Sequence, residues 1–369
     1  MLTRGGKLKR DWHYRSLFSY PAFFRAAAFL RSVLILLFII ESVFMPDPDT
    51  SLSARRLPWP EGQKPLMLAP MQGLTNEALR AVIAGLGRPD VLFTEFVRVA
   101  PGRMPVFTGK PWTCDSRDNV PLVVQLIGHD SQALATAALS AQQAGARHIN
   151  LNLGCPHGRM TSAAVGGNLL AQPQRLAPML GALRKVVSGS FSVKLRAGYD
   201  DSSQIFSLLP MLEDAGVDFF ILHPRTVVQG YDGQADHTIT AAVAERTRLP
   251  LIANGDIRKA SDGWRLLEHA GVTGLMLGRG AIADPMLFER LRRNAPAQPN
   301  RQQRAALLRG YLTEVAGRYA ERFCGDTQVL GKLREVLKLI DDPAFAKTIE
   351  KLKKCRNRSL FNTLLAELE

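Results

Sequence analysis

Cys155 stands in "LNLGCPHGRM" (151–160), directly after a glycine and before a proline, where an apolar run has just ended. Besides packing, a thiol there could serve disulfide or metal chemistry, acid–base work or nucleophilic work. The four cysteines, Cys114, Cys155, Cys324 and Cys355, lie 41, 169 and 31 residues apart, with no CxxC and no Cys/His cluster at zinc-ligand spacing. Four scattered cysteines in 369 residues make no disulfide framework, and a reducing, cytoplasmic setting is expected. That leaves packing, a thiol acid or a thiolate nucleophile, and the flanking glycine and proline weaken the first. An unperturbed thiol, with a pKa near ~8.5, is about 97% protonated at pH 7 and available as a general acid. Neighbouring cations would instead favour the thiolate.

Other residues with chemical potential also end apolar runs: Gln125, Asn152, Lys194, Arg196, His223, Asn254 and Arg279. Lys194 suits either a Schiff-base amine or a cation holding an anionic group. Arg196, two residues on, shares its face of a strand. His223 is a hydrogen-bonding residue or a base. Asn152, beside Cys155, caps a strand end or orients an amide or carbonyl of a substrate. "ANGDI" (253–257) and "GRGA" (278–281) place Gly255, Gly278 and Gly280 where backbone N–H groups approach an anion, with Arg279 adding charge. "GRGAIA" fits GxGxxA, but no strand with an acidic end follows. Walker, HExxH and GxSxG motifs are absent from the sequence.

These groups need a scaffold that brings eight run ends together. The runs are "LMLAPM" (66–71), "VLFTEFV" (91–97), "LVVQLIG" (122–128), "HINLNLG" (148–154), "SVKLRAG" (192–198), "FFILHPR" (219–225), "PLIANGD" (250–256) and "GLMLGRG" (274–280). Each is followed by an Ala/Leu-rich helical stretch, at about one βα unit per 30 residues. Near-continuous apolar strands alternating with helices predict a parallel sheet, and eight unbroken units predict a (β/α)8 TIM barrel; an open doubly wound sheet is the alternative. In such a barrel every run end faces one mouth, and the loops after strands seven and eight commonly hold a phosphate. "TSAAVGGNLL" (161–170) is expected to fold over that mouth.

The composition, 46% hydrophobic and 22% charged, is that of a folded protein and excludes a disordered chain. The net charge of +14 suits a polyanionic partner, either nucleic acid or an anionic membrane surface, although many basic proteins have none. Residues 289–369, which read as helical, hold 17 basic and 10 acidic side chains. At the other end, "AFFRAAAFLRSVLILLFII" (22–40) has an uninterrupted apolar part of only Val33 to Ile40, below the roughly 20 residues a span needs. An upstream extension from a misassigned start (with Met45 or Met67 the true one), an interfacial anchor and an uncleaved signal all remain open. The expected organisation is an N-terminal extension and linker at 1–62, a barrel at 63–290 and a smaller helical domain at 291–369.

"LAPMQG" (68–73), "TEFVRV" (94–99), "VQLIG" (124–128), "LNLGCP" (151–156), "GGNLL" (166–170), "VKLRAG" (193–198), "LHPRT" (222–226), "IANGDI" (252–257) and "LGRGA" (277–281) together resemble the tRNA-dihydrouridine synthases, in that family's order, over about residues 65–285. "TEFVRV" looks most like the C-type members, which reduce uridine 16 of the tRNA D-loop. The resemblance implies FMN in the barrel mouth, reduced by NADPH, with hydride passing to uracil C6 and the cysteine protonating C5. It implies FMN contacts from Pro70, Met71, Gln72, Gln125, Lys194, His223, Asn254, Gly255, Asp256, Gly278 and Arg279, with Cys155 as proton donor. Arg98, Asn152, Arg196, Lys332 and Arg334 are the implied tRNA contacts. No metal, no stable membrane insertion and a monomer are expected. Pro224 departs from the family's usual glycine after the histidine, and "HGRM" (157–160) is also atypical. The competing readings are another FMN barrel, such as a dihydroorotate-dehydrogenase-like enzyme, and a non-catalytic RNA-binding protein on the same scaffold.

Overall fold

The computed structural model describes residues 57–107, 120–156, 159–160 and 163–368. The apolar stretch at 22–40, Cys114 and part of the loops at 157–162 lie outside the described residues.

All eight apolar runs form strands: β1 (Leu66–Leu68), β2 (Leu92–Phe93), β3 (Leu122–Ile127), β4 (His148–Leu153), β5 (Ser190–Gly198), β6 (Phe219–Thr226), β7 (Leu251–Asn254) and β8 (Gly274–Leu277). Every neighbouring pair that is laddered runs parallel, in chain order, and β8 returns to β1 with Leu66 opposite Leu275. Met67 bridges Val91, and the Leu68 N–H reaches the Val91 carbonyl at 3.0 Å, closing the barrel between β1 and β2. A short strand at Val97–Arg98 extends the β2 edge along β3.

Helices α1 (Glu77–Gly87), α2 (Ser131–Gln143), α3 (Leu176–Val186), α4 (Gln204–Asp214), α5 (His237–Ala244) and α6 (Ala260–His269) connect successive strands. Sequence chemistry starts several of them. Asn76 and Asp130 lie in extended backbone, and their side-chain oxygens accept from Leu79 and Ala133 N–H at 3.2 and 2.7 Å. After β8 come the short helices α7 (Arg279–Ala283) and α8 (Leu287–Leu291), then a helical tail of α9 (Arg301–Arg322), α10 (Gly325–Leu337), α11 (Ala346–Lys354) and α12 (Arg358–Ala366). Asn300 and Gln303 form a reciprocal capping box at the start of α9. Among the described residues, no helix is long and apolar enough to cross a membrane.

Strand alternation divides the core in two. Outward residues pack under the helices; inward ones fill the barrel. The interior near the strand starts is apolar, with Met67, Phe93, Val123, Phe219, Ile221, Ile252 and Met276 all fully buried. Trp59 seals this end, its ring edge-on to Phe219 at 4.8 Å. It precedes the boundary expected at residue 63, so barrel packing begins within the linker. Toward the strand ends the interior turns polar. Gln125 donates to Asn150, Asn150 to Ser192 and Asn152 to Gln125, each at 2.8 Å, so these buried amides satisfy one another.

Pro224 finds its place in an irregularity of β6. Arg196 pairs with His223 but Gly198 with Thr226, so three residues of β6 face two of β5. At such a bulge the ladder is already interrupted, and a residue lacking N–H is tolerated.

Candidate active site

The strand ends open onto a cleft of about 510 Å³. Its walls include Pro70, Met71, Gln72, Asn152, Cys155, Lys194, Arg196, His223, Asn254, Gly255, Asp256, Gly278 and Arg279, bringing together thirteen of the seventeen residues singled out from sequence.

Cys155 sits on the turn leaving β4. The Asn152 Oδ1 accepts the N–H groups of Gly154 and Cys155, both at 3.0 Å, while its amide nitrogen is anchored on Gln125. Asn152 therefore fixes the cysteine turn, and its own polar atoms are engaged in doing so. From the other side, Gly167 donates to the Cys155 carbonyl at 3.0 Å. Gly166 has φ +59, and a Cβ there would stand 3.2 Å from the cysteine Cβ and 3.0 Å from Ile127 Cδ1, so only glycine lets the "GGNLL" segment close against this turn. The thiol remains half-buried at the cleft wall.

Lys194 projects from β5 beside it. Burial, and secondarily the Arg196 charge, lower its pKa from 10.5 to about 7, while the Cys155 sulfur opposes the shift. Arg196 is held by carbonyls: its Nε donates to Gly154 at 2.8 Å, and its Nη1 to Thr226 at 2.8 Å and Gly230 at 2.5 Å. It lies 1% exposed, so it braces the loops around the mouth and lends the cleft charge more than surface.

Across the mouth, the turn after β7 carries Gly255 at φ +120 and Asp256 at φ +47. A Cβ on Gly255 would come within 2.8 Å of the His223 ring and 3.0 Å of the Ala235 Cβ. At Gly280 a Cβ would meet the Ile257 carbonyl oxygen at 2.2 Å. Both glycines are therefore required by close approach. The Asp256 carboxylate takes Arg279 at 3.0 Å on one oxygen and Arg225 at 2.6 Å plus the Ala235 N–H at 2.8 Å on the other. Arg225 and Arg279 hold its pKa below the ordinary carboxylate value against the opposing effect of burial. Asp256 thus serves the arginines and offers a ligand little. Asn254 donates to the Met276 carbonyl at 2.8 Å, tying β7 to β8 beneath the turn.

His223 is almost wholly buried, and its pKa is pushed far below 6.5 by burial and then by Lys194, Arg196, Arg225 and Arg279. It is a neutral ring. Pro70, Met71 and Gln72 lie on the loop after β1, where Met71 N–H donates to the Thr75 hydroxyl at 2.8 Å. Gly73 of that loop, at φ +77, is gripped from both sides: its N–H by Glu95, its carbonyl by Lys332 of α10 at 2.9 Å.

Four expected site residues sit elsewhere. Gln125 is fully buried below the cleft floor, hydrogen-bonded to Asn150 and Asn152, because its strand position points it into the barrel's polar layer. Arg98 is exposed and stacks over Phe96, which itself lines the cleft. Lys332 reaches the loop after β1 through Gly73, one groove away, in a space also lined by Gln72, Phe323, Glu335, Lys338 and Leu339. Arg334 is engaged within the tail: its Nε donates to the Lys353 carbonyl at 2.8 Å and its Nη2 to Cys355 at 2.9 Å, so it caps the C-terminal end of α11.

Sequence reasoning missed Arg225, Tyr231 and Leu339. Arg225 follows His223 at the spacing that links Lys194 to Arg196, a usable signal. Tyr231 lies 54% exposed at the mouth, with the Arg196 and Arg279 guanidinium groups 5.3 and 5.1 Å from its ring centre. Nothing local marks it, or Leu339, which brings the tail to the cleft wall.

The dihydrouridine synthase family model matches residues 67–358. A tRNA-dihydrouridine(16) synthase of Ralstonia nicotianae is 32% identical over 266 residues, covering 69% of this chain and 82% of that protein. The tRNA-dihydrouridine(16) synthase of Haemophilus influenzae is 35% identical over 246 residues, covering 63% and 78%. That of Cupriavidus necator is 32% identical over 266 residues, covering 69% and 83%.

Proposed function

Since the chain belongs to the dihydrouridine synthase family, we propose that it reduces uridine 16 of the tRNA D-loop to 5,6-dihydrouridine, with FMN in the barrel mouth and NADPH as electron donor. The observation that carries the mechanism is the Asn152-held turn, which presents Cys155 to the same cleft as Lys194 and Arg279. The competing dihydroorotate-dehydrogenase-like and non-catalytic readings account for neither the family match nor this thiol together with a basic tail.

The residues present fit a flavin mononucleotide. Gly255 and Gly280 let the turns after β7 and β8 pack closely into the cleft wall, and Arg279 lies beside them with a guanidinium able to meet a phosphate. Pro70, Met71 and Gln72 would border the ring system, with Lys194 supplying positive charge and neutral His223 a hydrogen bond. When bound and reduced, the flavin supplies the hydride that uracil receives at C6. The Cys155 Sγ then gives its proton to C5, and bulk solvent restores it. Lys194 and Arg196 offset negative charge developing on the reacting ring. Tyr231, an exposed aromatic at the mouth, offers a stacking face to a base turned out of the D-loop. Arg98, Lys332 and Lys338 are the cations placed to dock the tRNA body, and Arg196 and Asn152 support the base-binding rim.

Position-resolved mapping of dihydrouridine in tRNA treated with the pure protein, FMN and NADPH tests this reading. Dihydrouridine at position 16 is expected. Modification at 17 or 20 with 16 untouched overturns the positional assignment, and no dihydrouridine overturns the activity.

A further inference from the structure

Arg225 is, with Arg196, one of two charged side chains less than 2% exposed among the described residues, yet it has no place in the functional reading above. Its donors are all directed at protein groups. Nε reaches the Asp232 carbonyl at 3.2 Å; Nη1 reaches His223 Nε2 at 3.0 Å and Asp256 Oδ1 at 3.3 Å; Nη2 reaches the Gly233 carbonyl and Asp256 Oδ2, both at 2.6 Å. Five bonds exhaust its five N–H groups, so it has nothing to offer a ligand. Arg279, by contrast, makes one side-chain hydrogen bond among the described residues, to Asp256, and stays 32% exposed.

We propose that Arg225 is a positioning residue for the cofactor cradle: it holds His223 as the neutral Nδ1–H tautomer and, through Asp256, keeps Arg279 directed at the phosphate-bearing ligand. The tautomer follows from hydrogen-bond polarity. A guanidinium can only donate, so His223 Nε2 must accept, and the ring proton must reside on Nδ1. Lys194 and Arg196 from β5, Arg225 from β6 and Arg279 from α7 all face the ring, and each opposes a second proton. The Arg279 geometry follows from competition. Asp256 is held by Arg225 and the Ala235 N–H, which leaves a single oxygen edge for Arg279. Without Arg225 the carboxylate is free to take Arg279 bidentately and draw it from the cleft. Lysine preserves the charge but cannot bridge an imidazole, a carboxylate and two carbonyls at once.

The phosphate part rests on the FMN reading; the tautomer part does not. Long-range ¹H–¹⁵N spectra of histidine-labelled protein, with His223 assigned from its loss in His223→Gln, read the tautomer with and without FMN. Fluorescence quenching gives the FMN Kd for the wild type, Arg225→Lys and Arg225→Met. The expected result is Nδ1–H in the wild type from pH 6 to 8, loss of that fixed tautomer in both variants, and a Kd raised about tenfold in both. An Nε2–H or doubly protonated His223 in the wild type overturns the proposal. So does an Arg225→Lys protein with wild-type tautomer and Kd. If neither variant folds, the wild-type tautomer decides. A wild type that binds no FMN defeats the cofactor reading and leaves the tautomer result standing.

Discussion

Lys194 should make FMN binding pH-dependent in a range where ordinary lysines are silent. In the empty cleft its pKa is about 7, lowered by burial first and by Arg196 second. An anionic ligand favours the ammonium form, so binding above neutrality must be accompanied by proton uptake. With a pKa near 7, about half of the empty sites are protonated at pH 7 and about one in a hundred at pH 9. If the bound lysine stays protonated throughout, Kd is nearly flat below pH 6 and rises about 50-fold between pH 7 and 9. Flavin fluorescence quenching measures the Kd, and calorimetry in buffers of different ionisation enthalpy counts the protons taken up. Lys194→Met should bind more weakly at pH 6 and lose the slope. A wild-type Kd that varies less than about threefold from pH 6 to 9, or a slope that survives in Lys194→Met, refutes this account of the lysine.

Cys155→Ala should retain FMN and its reduction by NADPH while dihydrouridine formation falls by about 10²–10⁴, the range for an acid–base group; near-normal product would reduce the thiol to packing. Arg184 pairs with Asp218 at 2.8 Å and donates to the carbonyls of Gly216, Val187 and Gly189, so Arg184→Met should cost about 3–5 kcal/mol in urea unfolding. Trp59→Ala should cost about 3–5 kcal/mol in the same assay, since it opens the barrel floor against Phe219. Acid should destabilise the fold through its histidines. Burial and Arg147 lower the His148 pKa to about 4, and His223 is lowered further. The unfolded chain gains these protons near pH 6.5 and the folded chain does not, so their stability contribution is complete above that pH. It should fall toward pH 4 by up to ~1.4 kcal/mol per pH unit for each histidine, and His148→Asn should remove one share of that slope.

The barrel was readable because each strand carries its own signal. A run such as "SVKLRAG" is apolar enough to be buried on both faces, and its alternation assigns Lys194 and Arg196 to one side whatever the rest of the chain does. Once eight such runs close a barrel, strand polarity sends their polar ends to one mouth, which is why Cys155, Asn254 and Arg279 meet in the cleft. The glycines of the β7 and β8 turns were legible as turn residues, but what they approach, His223 and Ala235 at Gly255 and the Ile257 carbonyl at Gly280, is brought by other segments. What a polar side chain bonds to is another matter, because its partner is chosen by folding and not by its neighbours in the chain. Arg334 reads as a surface cation in a basic helix, yet α11 delivers two carbonyls to it from 19 and 21 residues away. Gln125 looked like the other polar run ends, but it lies two residues before the end of β3 and its side chain joins the buried amide layer. Lys332 meets Gly73 across 259 residues, and Trp59, in a stretch that reads as linker, fills a floor that exists only when the barrel has closed. Residue type and spacing determined which groups reach the mouth. Burial of the cations, with its hydrogen-bond and desolvation demands, decided which of them remain available to a ligand and which hold the others in place.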